Sequence, residues 1–332
     1  MIWFREGASE LEKLNLNTKP DIAHVQNIYH HLSPSILPVL KKHKIPIVWT
    51  LHDWKIICPI YSLYTKGAIC ERCKKRKYWQ AVINKCNKNS YLASLAIACE
   101  MSIHKLMKVY EKNVDVFIVL SQFTKRKLEE WGIQAKRFEV LPNFIEIGEP
   151  HFDFENYFVY AGRLIKNKGI WTLIKAAKKL PKNLELKIAG TGPEEEKIKD
   201  YLEKNKIRNI KLVGFLKQEA LKELMKKSMF SVLPSELYEH CPLAILEAYA
   251  LGKPVIGSNL GSIPELIQDG QTGLLFKPNS SLDLREKINY LASHPEKIKS
   301  FGKNAFDLVD QKYNQEDHYL RLISIYESLL KK

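Results

Sequence analysis

Two carboxylates, Glu239 and Glu247, stand eight positions apart in the stretch Pro234-Ser-Glu-Leu-Tyr-Glu-His-Cys-Pro-Leu-Ala-Ile-Leu-Glu-Ala248. The stretch reads as the end of a buried strand (Met229 to Leu233), a loop, and a helix over about 242–251. Pro242 suits a first turn, where a missing amide forfeits no hydrogen bond, and Gly252 closes the helix. The helix is apolar almost all round, so it belongs inside a layered domain. Glu247 is the exception, and a carboxylate there is expensive unless something hydrogen-bonds it. A Glu on one solvated edge is the ordinary explanation. Here, however, Glu239 lies in the loop that feeds the helix, and the helix N-terminus between the two offers free amides and a partial positive charge. Two carboxylates flanking an anion site suit a phosphorylated, hydroxyl-rich ligand.

A second group of chemical residues is Ala161-Gly-Arg-Leu-Ile-Lys-Asn-Lys-Gly-Ile170, at a strand end. Gly162 and Gly169 let backbone approach a ligand, and Arg163 and Lys168 place a planar fork and a point charge over it. This is a diphosphate clamp in chemical terms; a surface Arg and Lys is the plainer reading. Gly190-x-Gly192 also joins a strand to a helix, but Glu195 stands where a dinucleotide fingerprint wants a third glycine, and no P-loop follows.

Pro-Ser-x-x-x-Glu-x-x-Pro-x-x-x-x-Glu-Ala, with Glu239 and Glu247 as its carboxylates, resembles the signature of retaining nucleotide-sugar glycosyltransferases of the GT-B fold, family four. The Gly-Arg and Lys-Gly pairs resemble the residues that hold the donor diphosphate in that family. The resemblance implies a transfer from a UDP- or GDP-linked sugar to an acceptor hydroxyl of a saccharide or lipid-linked saccharide, with retention. It implies catalytic roles for Glu239, His52, Arg163 and Lys168. Donor contacts are implied at Gly162, Gly190, Gly192, Phe215, Leu216, Cys241, Pro242, Leu243 and Glu247, with Glu247 on the ribose. His52 would face the donor sugar across an interdomain cleft, and Asn27, His30, His31 and Asp53 would serve the acceptor. With fixed cations at the diphosphate, no catalytic metal or other cofactor is implied. Gly261-Ser-Ile-Pro-Glu departs from the usual pattern in carrying Ser262 for a glycine.

The elements that position these residues alternate along the chain. In the first half Asp21 to Val25, Ile45 to Asp53, Asp115 to Ser121 and Phe138 to Leu141 read as strands. A helix opened by Ser33 and Pro34 separates the first two, which argues for a parallel sheet with His24, His52 and Asp53 at its strand ends. After a linker at Glu149 to Asn156, six strand-helix units follow, a doubly wound parallel sheet. The expected class is α/β, GT-B: two Rossmann-like domains facing a cleft, an acceptor-side domain at 1–148 and a donor domain at 149–314. An amphipathic helix at 315–332 would cross back to the first domain. Against the family pattern, the first domain lacks its usual first strands and glycine-rich loop. The other readings are therefore an inactive nucleotide-sugar-binding fragment, or one chain of a split enzyme.

Cys58, Cys70, Cys73 and Cys86 fall in an insertion at about 54–90, spaced Cys-x11-Cys-x2-Cys-x12-Cys. Either four thiolates converge on a structural zinc ion, or these are four independent thiols. Cys99 and Cys241 have no such partners and read as core or loop thiols. Tyr91 to Tyr110 reads as one helix whose Leu92, Leu95, Ala96, Cys99, Ile103, Leu106 and Met107 pack on the sheet; with Lys105, Lys108 and Lys112 the same face would instead suit a membrane. The chain has 332 residues and a net charge of +15, mostly Lys scattered along helical segments, with no nucleic-acid motif. With no long apolar run and no signal peptide, the expected place is the cytoplasm, peripheral on the inner face of an anionic membrane.

Overall fold

Ile47–Leu51 and Val116–Val119 are apolar runs buried on every side chain, as expected of central strands covered by helices on both faces. In the computed structural model, which describes residues 3–29 and 32–331, they form the middle of the first of two sheets. The chain divides into two units. One comprises Met1–Thr65, Ile69–Pro142 and Tyr319–Lys332, and the other Lys66–Ala68 and Asn143–His318.

The strands of the first half are β1 (Ala23–Val25), β2 (Ile47–Leu51), β3 (Tyr64–Thr65), β4 (Ala68–Ile69), β5 (Val116–Val119) and β6 (Phe138–Val140). The first unit's main sheet is all parallel in the order β1-β2-β5-β6, and β3 and β4 pair separately as a short ribbon. Ile325, with Leu322, Tyr326 and Leu329 beside it, packs against Val48, Val116, Ile118 and Leu141, so the last helix, Gln315–Leu330, seals one face of this sheet. His24 does not sit at a strand end but within β1, its Nδ1 2.5 Å from the Tyr326 hydroxyl and its Nε2 2.7 Å from Thr50 Oγ1. One ring nitrogen thus ties β1 to the last helix and the other ties it to β2, a structural use. The helix expected from Ser33 starts later, at Ile36. Ser33 adopts a φ of 57°, outside the helical range, and its Oγ accepts from the Phe4 and Ser35 amides.

The helix expected over 91–110 is broken at Lys108, whose φ of 52° ends Tyr91–Met107 and starts Val109–Asn113. Its orientation also overturns the expectation. Leu92 and Leu106 are 81% and 84% exposed, and Leu95, Ile103 and Met107 are exposed with them. The buried side carries Ser94, Ala98, Glu100, Met101, His104 and Lys105. The charges there are matched: Lys55 Nζ lies 2.9 Å from Glu100, Lys105 pairs with Glu111, and the Tyr110 hydroxyl meets His104 at 3.1 Å. Lys105 therefore faces inward, away from Lys108 and Lys112. Cys99 is exposed on this helix, not a core thiol, whereas Cys241 is buried.

The second unit carries β7 (Tyr157–Ala161), β8 (Glu185–Ala189), β9 (Ile210–Gly214), β10 (Ser231–Leu233), β11 (Val255–Ser258) and β12 (Gly273–Phe276), all parallel in the order β12-β11-β10-β7-β8-β9. Helices cover both faces, and the core includes Phe158, Ile174, Phe230, Ile256 and Leu284. From β7 the chain winds outward through β8 and β9, then returns to β7's other side as β10. The strand order reverses between β7 and β10, the kind of position where ligands bind open α/β sheets.

Candidate active site

The loops after β7, β8 and β10 meet at that reversal. Gly169 has φ 73°, and a Cβ there would lie 1.8 Å from the Pro234 carbonyl oxygen; a Cβ on Gly190 would lie 2.0 Å from that of Gly162. The sequence suggested that Gly169 makes room for a ligand. In the structure it makes room for the neighbouring loop, and Gly192 likewise lies against the Leu164 backbone. Close backbone contact of this kind fixes where the loops' side chains can go.

Lys168 and Glu239, 71 positions apart, are brought together across the reversal with Nζ 2.6 Å from Oε1. Ser235 Oγ donates to the same carboxylate oxygen at 2.7 Å, and the Glu239 carbonyl accepts from Ser262 Oγ at 2.9 Å. Ser262, the departure from the family's usual glycine, thus holds the backbone of the loop that carries Glu239. Glu239 is 9% exposed. Lys168 and Ser235 thus supply the hydrogen bonds that a carboxylate so shielded from water needs. Arg163 is exposed one step beyond Gly162, its backbone fixed by the Tyr160 hydroxyl donating to its carbonyl at 2.9 Å.

The helix carrying Glu247 spans Leu243–Ala250, with Pro242 as its cap in extended conformation, one residue later than its sequence suggested. No side chain caps its first turn. The Leu243 and Ala244 amides therefore point out of the helix end unpaired within it. Cys241 precedes it, its carbonyl accepting from Asn143 Nδ2 at 2.9 Å, and burial pushes its thiol up to about 12.

Glu247 lines a pocket with Ile145, Gln218, Leu221, Lys222 and Met225. Sequence reasoning missed these residues; the helix Gln218–Lys226 reads as an ordinary amphipathic element, and only its placement beside Glu247 gives them a role. Burial raises the Glu247 carboxyl above the ordinary carboxylate range. Because a raised carboxyl pKa destabilises the folded chain as pH climbs through and above the ordinary range, Glu247→Gln should raise the melting temperature at pH 8 and have less effect at pH 4. Thermal scans at the two pH values check the sign. Phe215 is 75% exposed just beyond β9, and half-buried Leu216 follows it.

In the first unit, His52 and Asp53 follow β2, and Gln26 and Asn27 follow its neighbour β1. His52 Nε2 lies 3.1 Å from Gln26 Oε1. Burial lowers the His52 pKa and Asp53 opposes this. Asp53 Oδ1 accepts from the Lys55 amide at 2.8 Å, and Asn27 is exposed at a φ of 36°. His30 and His31 lie outside the described residues. Gln26 was not singled out by sequence; it follows β1 without a motif around it. Cys58, Cys70, Cys73 and Cys86 all line one small cavity with Leu63, Ala81 and Trp131. Among the described residues, though, no three His, Cys, Asp or Glu side chains are placed to hold a metal ion.

Two family models match: "Glycosyltransferase Family 4" over residues 2–149 and "Glycosyl transferases group 1" over 145–307. This chain belongs to the family-four glycosyltransferases of the GT-B fold. An uncharacterized glycosyltransferase of Methanocaldococcus jannaschii is 31% identical over 65% of this chain and 60% of its own length. The alpha-D-kanosaminyltransferase of Streptomyces kanamyceticus is 26% identical over 52% of this chain and 45% of its own. The matches thus span about half the length of these curated relatives. Among solved structures, sucrose-phosphate synthase from Thermosynechococcus elongatus superposes with a TM-score of 0.74 at 20% identity, covering 98% of this chain and 77% of that one. Anabaena HepE, solved with UDP, gives 0.72 at 18%, covering 97% and 82%. At these identities the likeness speaks for the fold.

Proposed function

We propose that the chain transfers a sugar from a nucleoside diphosphate sugar to the hydroxyl of a saccharide or lipid-linked saccharide, with retention at the anomeric carbon. The observation that carries the reading is the Lys168–Glu239 pair at the strand-order reversal, with Glu239 in the loop that leads into the helix carrying Glu247. When the bond from the anomeric carbon to the diphosphate breaks, negative charge grows on the departing oxygen and positive charge on the carbon. Arg163, Lys168 and the Leu243 and Ala244 amides oppose the first, and the Glu239 carboxylate the second. Fixed charges of this kind supply most of the rate in many enzymes. Glu247 accepts from the ribose hydroxyls, and Phe215 offers its ring to the base. In the first unit Asn27 and Asp53 serve the acceptor. HepE has been solved with UDP-glucose, which favours a uridine donor here.

The test is release of nucleoside diphosphate from UDP-, GDP- and ADP-sugars by the purified chain, alongside binding of the free diphosphates. Turnover of one donor class supports the reading and identifies the base. Binding without turnover would select the inactive donor-binding fragment or the split enzyme, and neither binding nor turnover would refute the site.

The acceptor side of this reading includes an anionic bilayer. No helix among the described residues is long and apolar enough to cross a membrane. Trp79 and Ile83, on the short helix packed against Tyr91–Met107, are also 54% and 60% exposed. Lys75, Arg76, Lys77, Lys88, Lys108 and Lys112 are exposed in the same stretch of chain. From residue 72 to 110 the single acidic residue is Glu100, which is buried against Lys55. An apolar face accompanied by cations and without exposed acids matches anionic lipid headgroups over a hydrocarbon layer. The wild-type chain should co-sediment with phosphatidylglycerol vesicles and not with phosphatidylcholine vesicles. Leu92→Asp/Leu106→Asp should lower that binding at least about tenfold, each leucine losing roughly 1.5–3 kcal/mol of burial. Unchanged binding, or a dimer dispersed by the same substitutions, would contradict the assignment.

A further inference from the structure

The insertion that carries the four cysteines has little to hold it. Besides the β3–β4 ribbon it contains a three-residue 3-10 turn and the short helix Trp79–Ile83. Eight non-glycine residues between Tyr61 and Asn89 have positive φ, among them Leu63, Lys75, Arg76 and Lys85. Each costs about 1–2 kcal/mol against ordinary backbone. Such a segment keeps one conformation only if something over-determines it.

Within it the chain curls so that Cys58, Cys70, Cys73 and Cys86 line one cavity of about 20 Å³, walled by Leu63, Ala81 and Trp131. Cys58 and Cys73 are buried. The backbone amides of Leu63, Ile60 and Ser62 are directed at the Cys58 sulfur, and that of Ala81 at Cys73. Amides aimed at sulfur are the second layer that a thiolate metal ligand requires. No carboxylate or imidazole lines the cavity. We propose that these four thiolates bind one zinc ion, which closes the insertion and holds the Trp79–Ile83 and Tyr91–Met107 helices in place. Binding releases four thiol protons to solvent and leaves a site of net charge −2 beside the cationic run Lys74 to Lys77, with no change of oxidation state. The sulfurs as placed do not form a metal-holding group, so binding includes side-chain rotation that brings each to about 2.3 Å from the ion. The closed, all-thiolate set makes the site structural rather than catalytic. The proposal does not depend on the transferase reading.

The test is elemental analysis of the full chain purified without chelator, followed by cobalt replacement. About one zinc per chain is expected, together with the intense d–d and thiolate charge-transfer bands of a tetrahedral four-sulfur cobalt site. With metal bound, two of the six cysteines, Cys99 and Cys241, should be open to thiol reagent after unfolding under metal-retaining conditions, and all six after chelation. Cys73→Ser should lose the metal and the bands. Should that variant fail to fold, cobalt titration and thiol counting on the wild-type chain still decide. Retention of zinc by Cys58→Ser/Cys73→Ser, the absence of any bound metal, disulfides among the four, or iron with inorganic sulfide would each overturn the assignment.

Discussion

Glu239→Gln is expected to slow sugar transfer by about 10²–10³-fold, the scale of losing one fixed electrostatic contact to a transition state. The free nucleoside diphosphate should bind at least as tightly as before. The two effects have one cause. The carboxylate faces Lys168 at 2.6 Å and Ser235 at 2.7 Å, so in the free protein it competes for the cation that the diphosphate needs. Neutralising it releases Lys168 to the ligand while removing the negative charge that meets the anomeric carbon. Gln keeps the shape and can still accept from Ser235, so the fold should be retained. Initial rates with donor and acceptor, paired with calorimetric titration of UDP and GDP, check the split. A variant turning over within twofold of wild type, or one that loses diphosphate affinity with rate, would show that Glu239 only braces its loop.

Arg163→Ala should weaken binding of the nucleoside diphosphate by about tenfold to a hundredfold, the range of a hydrogen bond to a charged group. Arg163 is exposed at the end of β7, and its backbone is fixed through its carbonyl by Tyr160, so the substitution leaves the core intact. Arg163→Lys should fall between, keeping the charge and losing the two-pronged fork. Lys168→Ala is the less clean experiment because it strands the buried Glu239 carboxylate. Equal affinity of wild type and Arg163→Ala for UDP and GDP would remove Arg163 from the site.

The strands were legible because each is a short apolar run bounded by polar turns, and parallel pairing follows from the helices between them. Glu247 announced itself as a carboxylate on an apolar helix, and Glu239 by its place in the loop that feeds that helix. Direction was harder to read. Helical spacing in Tyr91–Met107 marks one apolar face and one polar face but does not say which is inward, and the buried face proved to be the one with Glu100, His104 and Lys105. Their partners, Lys55, Tyr110 and Glu111, come partly from distant sequence, so the matched charges were invisible until the chain folded. Gly169 and Gly190 marked the right loops for a different reason, since they admit neighbouring backbone and not ligand. The residues around Glu247, such as Gln218 and Met225, carry no local signal because their role follows only from which helix lies beside which.

The most direct test is a crystal structure of the chain with UDP. The diphosphate is predicted to lie against Arg163, Lys168 and the Leu243 and Ala244 amides, with the ribose on Glu247 and the uracil by Phe215. The Lys168–Glu239 contact should lengthen as Lys168 turns to phosphate. UDP bound elsewhere with that pair still at its 2.6 Å separation would contradict the account.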